Sequence, residues 1–104
     1  MSLPRRHMKY IEAAYNVFLN EGILSYGFQV NSVTQEEVTI YFETLAESKN
    51  PPYNQMYSIL AKLKALPDVK EDSGHLVIED LKEAPDRKRL RGIVTFLPSY
   101  EATP

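Results

Sequence analysis

Proline is the residue that most constrains this sequence, because it cannot continue a helix and does not fit a central strand. The chain contains seven prolines: Pro4, Pro51, Pro52, Pro67, Pro85, Pro98 and Pro104. Each falls where a helix or strand is predicted to begin or end. The 104 residues, 43% of them hydrophobic, suit one domain with a single core. We expect residues 1–8 to be flexible and residues 99–104 to form a tail.

Apolar residues spaced three and four apart predict three helices. The first runs from Pro4 to about Asn20. The second begins at Thr34, because Thr34 and Glu37 have the spacing of a capping box. Its apolar face would consist of Val38, Tyr41, Phe42 and Leu45. The third spans residues 51–66, and its buried stripe would consist of Met56, Ile59, Leu60 and Leu63.

Strands are predicted from aromatic and β-branched residues. Residues 23–33 fit a short strand or an ordered loop. Residues 75–81 and 90–97 are two further strand candidates, joined through a bend at Pro85 into a long hairpin. Three helices followed by a hairpin is the order of a winged helix-turn-helix, an α+β fold.

The hairpin carries four basic residues in five positions, Arg87, Lys88, Arg89 and Arg91, although the chain is acidic overall. With a net charge of −2 and a pI of about 5.7, the chain has no global attraction for a polyanion, so any such site must be local. The alternative is a solvated hairpin whose charges protect an edge strand from aggregation.

Two segments resemble the DNA-binding core of the MarR-like (multiple antibiotic resistance) transcriptional regulators. M-Y-S-I-L-A-K-L, residues 56–63, is similar in spacing to the family's recognition helix, and D-R-K-R-L-R-G-I-V-T-F-L, residues 86–97, is similar to its wing. The resemblance implies that helix 51–66 occupies a major groove while the wing 75–97 reaches a minor groove. The family's C-terminal dimerisation helices have no counterpart before Pro104, so we expect a homodimer to use the N-terminal helix or a strand edge.

The expected ligand is therefore double-stranded DNA, and the protein is predicted to be a small transcriptional regulator. Asparagine and glutamine can read adenine edges, while serine, tyrosine and lysine suit phosphates. On the third helix the candidate DNA-binding residues are Asn54, Gln55, Tyr57, Ser58 and Lys62. On the wing they are Arg87, Lys88, Arg89 and Arg91.

The alternative function is a winged-helix protein-interaction module without DNA binding, which the acidic pI and the acidic residues around the wing favour. The sequence offers little for an enzyme, since His7 and His75 lack metal-ligand spacing and no glycine-rich phosphate loop is present. We expect no catalytic residue, no metal and no cofactor. The absence of cysteine fits a reducing cytoplasm, and no apolar run is long enough to span a membrane.

Overall fold

The structure is a computed structural model that describes residues 5–21 and 26–98. Its elements follow the order helix, strand, strand, helix, strand, strand. They are α1 (Arg5–Asn20), β1 (Gly27–Val33), β2 (Val38–Glu47), α2 (Tyr53–Lys64), β3 (His75–Asp80) and β4 (Arg87–Phe96). The four strands form one antiparallel sheet in the order β1-β2-β4-β3. The longest strands, β2 and β4, are therefore central, and β1 and β3 are the edges.

The chain consists of two successive helix-strand-strand halves. Helices α1 and α2 begin 48 residues apart, at Arg5 and Tyr53, and the edge strands also begin 48 residues apart, at Gly27 and His75. Moving β4 to the front of this order would give β-α-β-β-α-β, the element order of ferredoxin-like folds. An arrangement of this kind supports many unrelated functions, so function has to be argued from particular residues.

The predicted winged helix-turn-helix is wrong, because the predicted second helix is the central strand β2. The apolar residues of this segment fit a helical spacing but also alternate, with Val38, Ile40 and Phe42 fully buried. β-Branched and aromatic side chains favour the extended conformation, and pairing with β1 and β4 stabilises it. The sequence fits the helical spacing and the strand alternation almost equally well, and pairing with the neighbouring strands determines which of the two forms.

The signal that predicts a helix start at Thr34 instead closes the turn between β1 and β2. The Thr34 hydroxyl oxygen accepts hydrogen bonds from the backbone N–H groups of Glu36, at 3.2 Å, and Glu37, at 3.0 Å. The Thr34 N–H in turn donates to the Glu37 carbonyl at 2.9 Å. A threonine side chain can bond the same backbone groups in a turn as at a helix N-terminus, so the local motif does not determine the element that follows.

We expect Thr34→Ala to destabilise the protein by about 1 kcal/mol, because two turn N–H groups lose their acceptor. Thr34→Ser keeps the hydroxyl and is the matched control. Chemical denaturation measures both variants. An alanine variant with the same free energy of unfolding as the serine variant would show that the turn does not depend on this side chain.

The helices pack side by side on one face of the sheet. From α1, Tyr10, Ala14 and Phe18 are buried, and from α2 the predicted stripe of Met56, Ile59, Leu60 and Leu63 is buried as expected. The sheet contributes Val38, Ile40, Phe42, Leu90, Val94 and Phe96. The rings of Tyr10 and Phe96 lie 5.4 Å apart, which joins the first helix to the last strand. One continuous core therefore lies between the helical layer and the sheet.

His7 is a polar member of this core and is fully buried. Its Nε2 donates to the Thr34 carbonyl at 2.8 Å, which ties α1 to the β1–β2 turn. Its Nδ1 has no hydrogen-bond partner among the described residues.

The last two strands form the predicted antiparallel pair, but they do not project as a wing. Strand β4 pairs with β3 on one side and with β2 along its full length on the other. The basic cluster therefore begins a central strand of the sheet. A strand hydrogen-bonded on both sides cannot leave the domain to follow a DNA groove.

Candidate interaction surface

The helices occupy only one face of the sheet, and we call the opposite face the outer face. Successive side chains of a strand point to opposite faces, so the residues that alternate with the buried Leu90, Gly92 and Val94 point to the outer face. The outer face carries Gln29, Tyr41, Glu43, Leu45, Glu47, His75, Val77, Glu79, Arg87, Arg89, Arg91 and Ile93. It is a mixed surface in which apolar side chains alternate with charges of both signs.

Arg91 lies near the centre of the outer face. Its Nε and Nη2 donate to Oε2 of Glu43 at 3.1 and 2.9 Å, and this bond is the main reason that the pKa of Arg91 is raised. The guanidinium also lies over the ring of Tyr41, 4.6 Å from its centroid. The charge of Arg91 is therefore opposed by a carboxylate and a ring within its own sheet, and the cation is poorly available to an external phosphate.

The other two arginines of the outer face also have acidic neighbours. Arg89 Nη1 lies 3.4 Å from a carboxylate oxygen of Glu79 on β3. Arg87 lies directly opposite Glu47 on β2. Three arginines of β4 thus alternate with glutamates from both adjacent strands, as cross-strand pairing of opposite charges favours. The arginines of the basic cluster and the glutamates that face them form an alternating, locally neutral arrangement, which we call the charge ladder.

Leu45 is the most exposed apolar side chain of the outer face, with 51% of its surface accessible. It lies opposite Arg89 in the sheet register. Two depressions, of about 270 and 530 Å³, border it on either side. Gly27 and Glu43 line the smaller, the β3–β4 connection lines the larger, and Leu45 and Arg89 line both. An exposed leucine between two depressions, rimmed by paired charges, fits an apolar contact with a polar rim.

The residues predicted on the third helix all lie exposed on α2, on its side away from the core: Asn54, Gln55, Tyr57, Ser58 and Lys62. Gln55 Oε1 accepts a hydrogen bond from the Tyr26 hydroxyl at 2.8 Å. The ammonium group of Lys62 forms an ion pair with Glu21. No carboxylate occurs within α2 itself. This face is neutral to basic, as the sequence predicts, but two of its five polar groups bond to the rest of the domain.

The two predicted halves of the DNA site lie on opposite sides of the sheet. Arg87, Arg89 and Arg91 are on the outer face, whereas α2 covers the other face. A helix about 10 Å across, together with the sheet, separates them. Lys88 alone points to the helical side, where it bonds Asp80 at 2.9 Å, and this bond raises the pKa of Lys88. The arrangement required by the MarR-like resemblance, a helix and a wing that contact one duplex together, is absent from the described residues.

The sequence interpretation missed the outer-face residues of β2, which it placed on a helix. Tyr41 and Leu45 were expected in a helical core stripe, yet they lie on the side of β2 away from the core. The signal that identifies them is alternation, since Thr39, Tyr41, Glu43 and Leu45 occur at every second position.

The chain matches no protein-family model, no curated protein and no solved structure. Within residues 5–21 and 26–98, neither helix has the length and apolar character needed to cross a membrane.

Proposed function

We propose that this chain is a protein-interaction module that binds a partner protein on the outer face, with Leu45 at the centre of the contact. The observation that carries the proposal is the charge ladder. Arg89 and Arg91 form ion pairs within the sheet, and Arg87 lies opposite Glu47, which leaves an exposed leucine as the prominent feature. Exposed apolar groups surrounded by satisfied polar groups are typical of protein interfaces.

A polyanion is a poorer fit to the same surface. Phosphate binding requires lysine or arginine charges that exceed the local acidic charge, because affinity arises from counterions that those charges displace. The outer face has three arginines and three glutamates. Binding a nucleic acid there would require breaking the Arg91–Glu43 pair and leaving Glu43 beside a phosphate. Duplex DNA binding through the exposed side of α2 alone stays an alternative prediction.

The partner that this surface fits has its own mixture of apolar and charged groups. The ladder offers arginines and glutamates at fixed positions, so a partner can match them by charge as well as by shape. The cysteine-free sequence fits a reducing compartment, and we place the interaction in the cytoplasm.

Site-specific photo-crosslinking tests the proposal. A photoreactive amino acid is introduced at Leu45, and the control carries it at Ser58, which is exposed on α2. In cells that naturally produce the chain, we expect the Leu45 position to form a discrete adduct with another protein and the Ser58 position to form none. An adduct at Ser58 alone, or a Leu45 adduct that nuclease digestion removes, would contradict the proposal.

A further inference from the structure

The edge strand β3 has few of the features that usually protect an edge, because its two carboxylates, Glu79 and Asp80, both lie at its C-terminal end. Its sequence, HLVIED, has no proline and no lysine, and its pairing with β4 runs without a register shift. The other edge strand, β1, has a register irregularity between Val30 and Ser32. Irregularities of this kind blunt an edge, whereas a regular edge presents a row of unpaired N–H and C=O groups. Of the two edges, β3 is the one prepared to accept another strand.

Strand β3 also exposes apolar side chains on both of its faces. Val77, on the outer face, is 44% exposed, and Ile78, on the helical face, is 45% exposed. Among residues 5–21 and 26–98, the backbone groups of β3 bond to no segment other than β4. Both the hydrogen-bonding row and the flanking apolar groups are therefore available to a strand from another molecule.

We infer that β3 pairs in antiparallel fashion with β3 of a second copy of this chain, centred on Val77. An antiparallel pair related by a two-fold axis must place outer-face residues opposite outer-face residues, since neighbours in a sheet share a face. Centring on Val77 sets Val77 opposite itself and His75 opposite Glu79 of the second copy. On the helical face, Leu76 meets Ile78 of the second copy.

Side-chain chemistry distinguishes this register from the next one allowed by symmetry. With Val77 at the centre, an imidazole N–H donor faces a carboxylate twice and apolar groups face apolar groups. A register centred on Ile78 would set Val77 opposite Glu79 and Leu76 opposite Asp80. Cross-strand pairs of matching chemistry stabilise a sheet, so the sequence of β3 is more self-complementary in the first of these registers than in the second.

Glu79 can serve this contact without losing its bond to Arg89, because a carboxylate accepts several hydrogen bonds. The pairing would join two sheets into one of eight strands with both outer faces on the same side. The second copy occupies the edge and leaves Leu45 free. Failure of the pairing would therefore leave the proposed partner site intact, and the two proposals can fail separately.

Charge exchange across the edge tests the pairing. His75→Glu sets glutamate opposite glutamate twice in the pair, and Glu79→Lys sets two nitrogen donors opposite each other twice. Sedimentation velocity over a concentration series should show dimer for the unmodified chain and monomer for each variant alone. Mixing the two variants sets glutamate opposite lysine at one position and an imidazole N–H opposite glutamate at the other, so we expect the dimer to return in the mixture only.

Val30→Lys is the matched control, because Val30 is similarly exposed, at 39%. Val30 lies on the other edge strand, so this substitution should leave the dimer intact. Thermal melts of all the variants establish that each one is folded. A monomer at every concentration of the unmodified chain, dimers of either single variant, or a mixture that stays monomeric would each overturn the inference. Loss of the dimer in Val30→Lys would assign it to β1 instead.

Discussion

Leu60→Asp is expected to unfold the protein. Leu60 is 3% exposed, lies in the buried stripe of α2 and packs over the central strand beside Gly92. Aspartate would remove the apolar contacts and introduce a carboxylate that has no partner in the core. The combined cost is about 5 kcal/mol or more, which is comparable to the whole stability of a small domain. Far-UV circular dichroism and a thermal melt measure the loss of structure directly.

Ser58→Asp is the control for Leu60→Asp. It places the same charge on the exposed side of the same helix, so we expect a change of no more than about 0.5 kcal/mol. A Leu60→Asp variant that melts cooperatively near the temperature of the Ser58→Asp variant would show that α2 packs through a different face.

Gly92→Ala is expected to cost about 1–3 kcal/mol, because the added methyl group has no room. A Cβ atom at this position would lie 2.4 Å from Cζ and 2.5 Å from Cε1 of Phe42, whose ring is fully buried. Such distances require the ring or the central strands to move. The missing side chain at Gly92 thus leaves room for the Phe42 ring, which lies against β4 beneath α2.

Gly27→Ala provides a comparison within the same sheet. Its Cβ would lie 3.8 Å from the nearest side-chain atom, which is an ordinary contact. Replacing this glycine should change the free energy of unfolding little, or raise it by up to about 1 kcal/mol, because alanine lowers the conformational entropy of the unfolded chain. Equal effects of the two substitutions in chemical denaturation would show that Gly92 does not lie against Phe42.

Elements with one dominant signal were predictable from the sequence. Helix α1 was expected from Pro4 to Asn20 and spans Arg5–Asn20, and the predicted helix 51–66 is α2, Tyr53–Lys64. The predicted hairpin is the β3–β4 pair. In each case the proline boundaries and the periodicity agree, and local consistency of this kind makes a prediction reliable.

Strand β2 was not predictable, because its residues satisfy two patterns at once. The motif at Thr34 is common to helix starts and turns, and Val38, Phe42 and Leu45 fit a helical face as well as a strand. Pairing with both β1 and β4 resolves the ambiguity, and that information is spread over distant parts of the chain. One wrong element was sufficient to turn a four-stranded sheet into a predicted winged helix.

The basic residues of the candidate site were predictable from the sequence, but the acidic residues that surround them in the sheet were not. Arg87, Arg89 and Arg91 stand out in the sequence because, with Lys88, they fill four of five consecutive positions. Their acidic counterparts, Glu43 and Glu79, come from two other strands that lie far away in the sequence or across a turn. A linear pattern shows the concentration of positive charge, whereas neutralisation of that charge depends on the sheet register.

Titration of the purified protein with labelled duplex DNA at low salt measures whether the arginines of β4, which face glutamates within the sheet, bind a polyanion. We expect no saturable binding, either by the unmodified chain or by a variant in which Arg87, Lys88 and Arg89 are replaced by alanine. Saturable binding that weakens steeply with added salt, with a shallower salt dependence in the triple variant, would contradict this expectation, because that result requires those side chains to displace counterions from DNA.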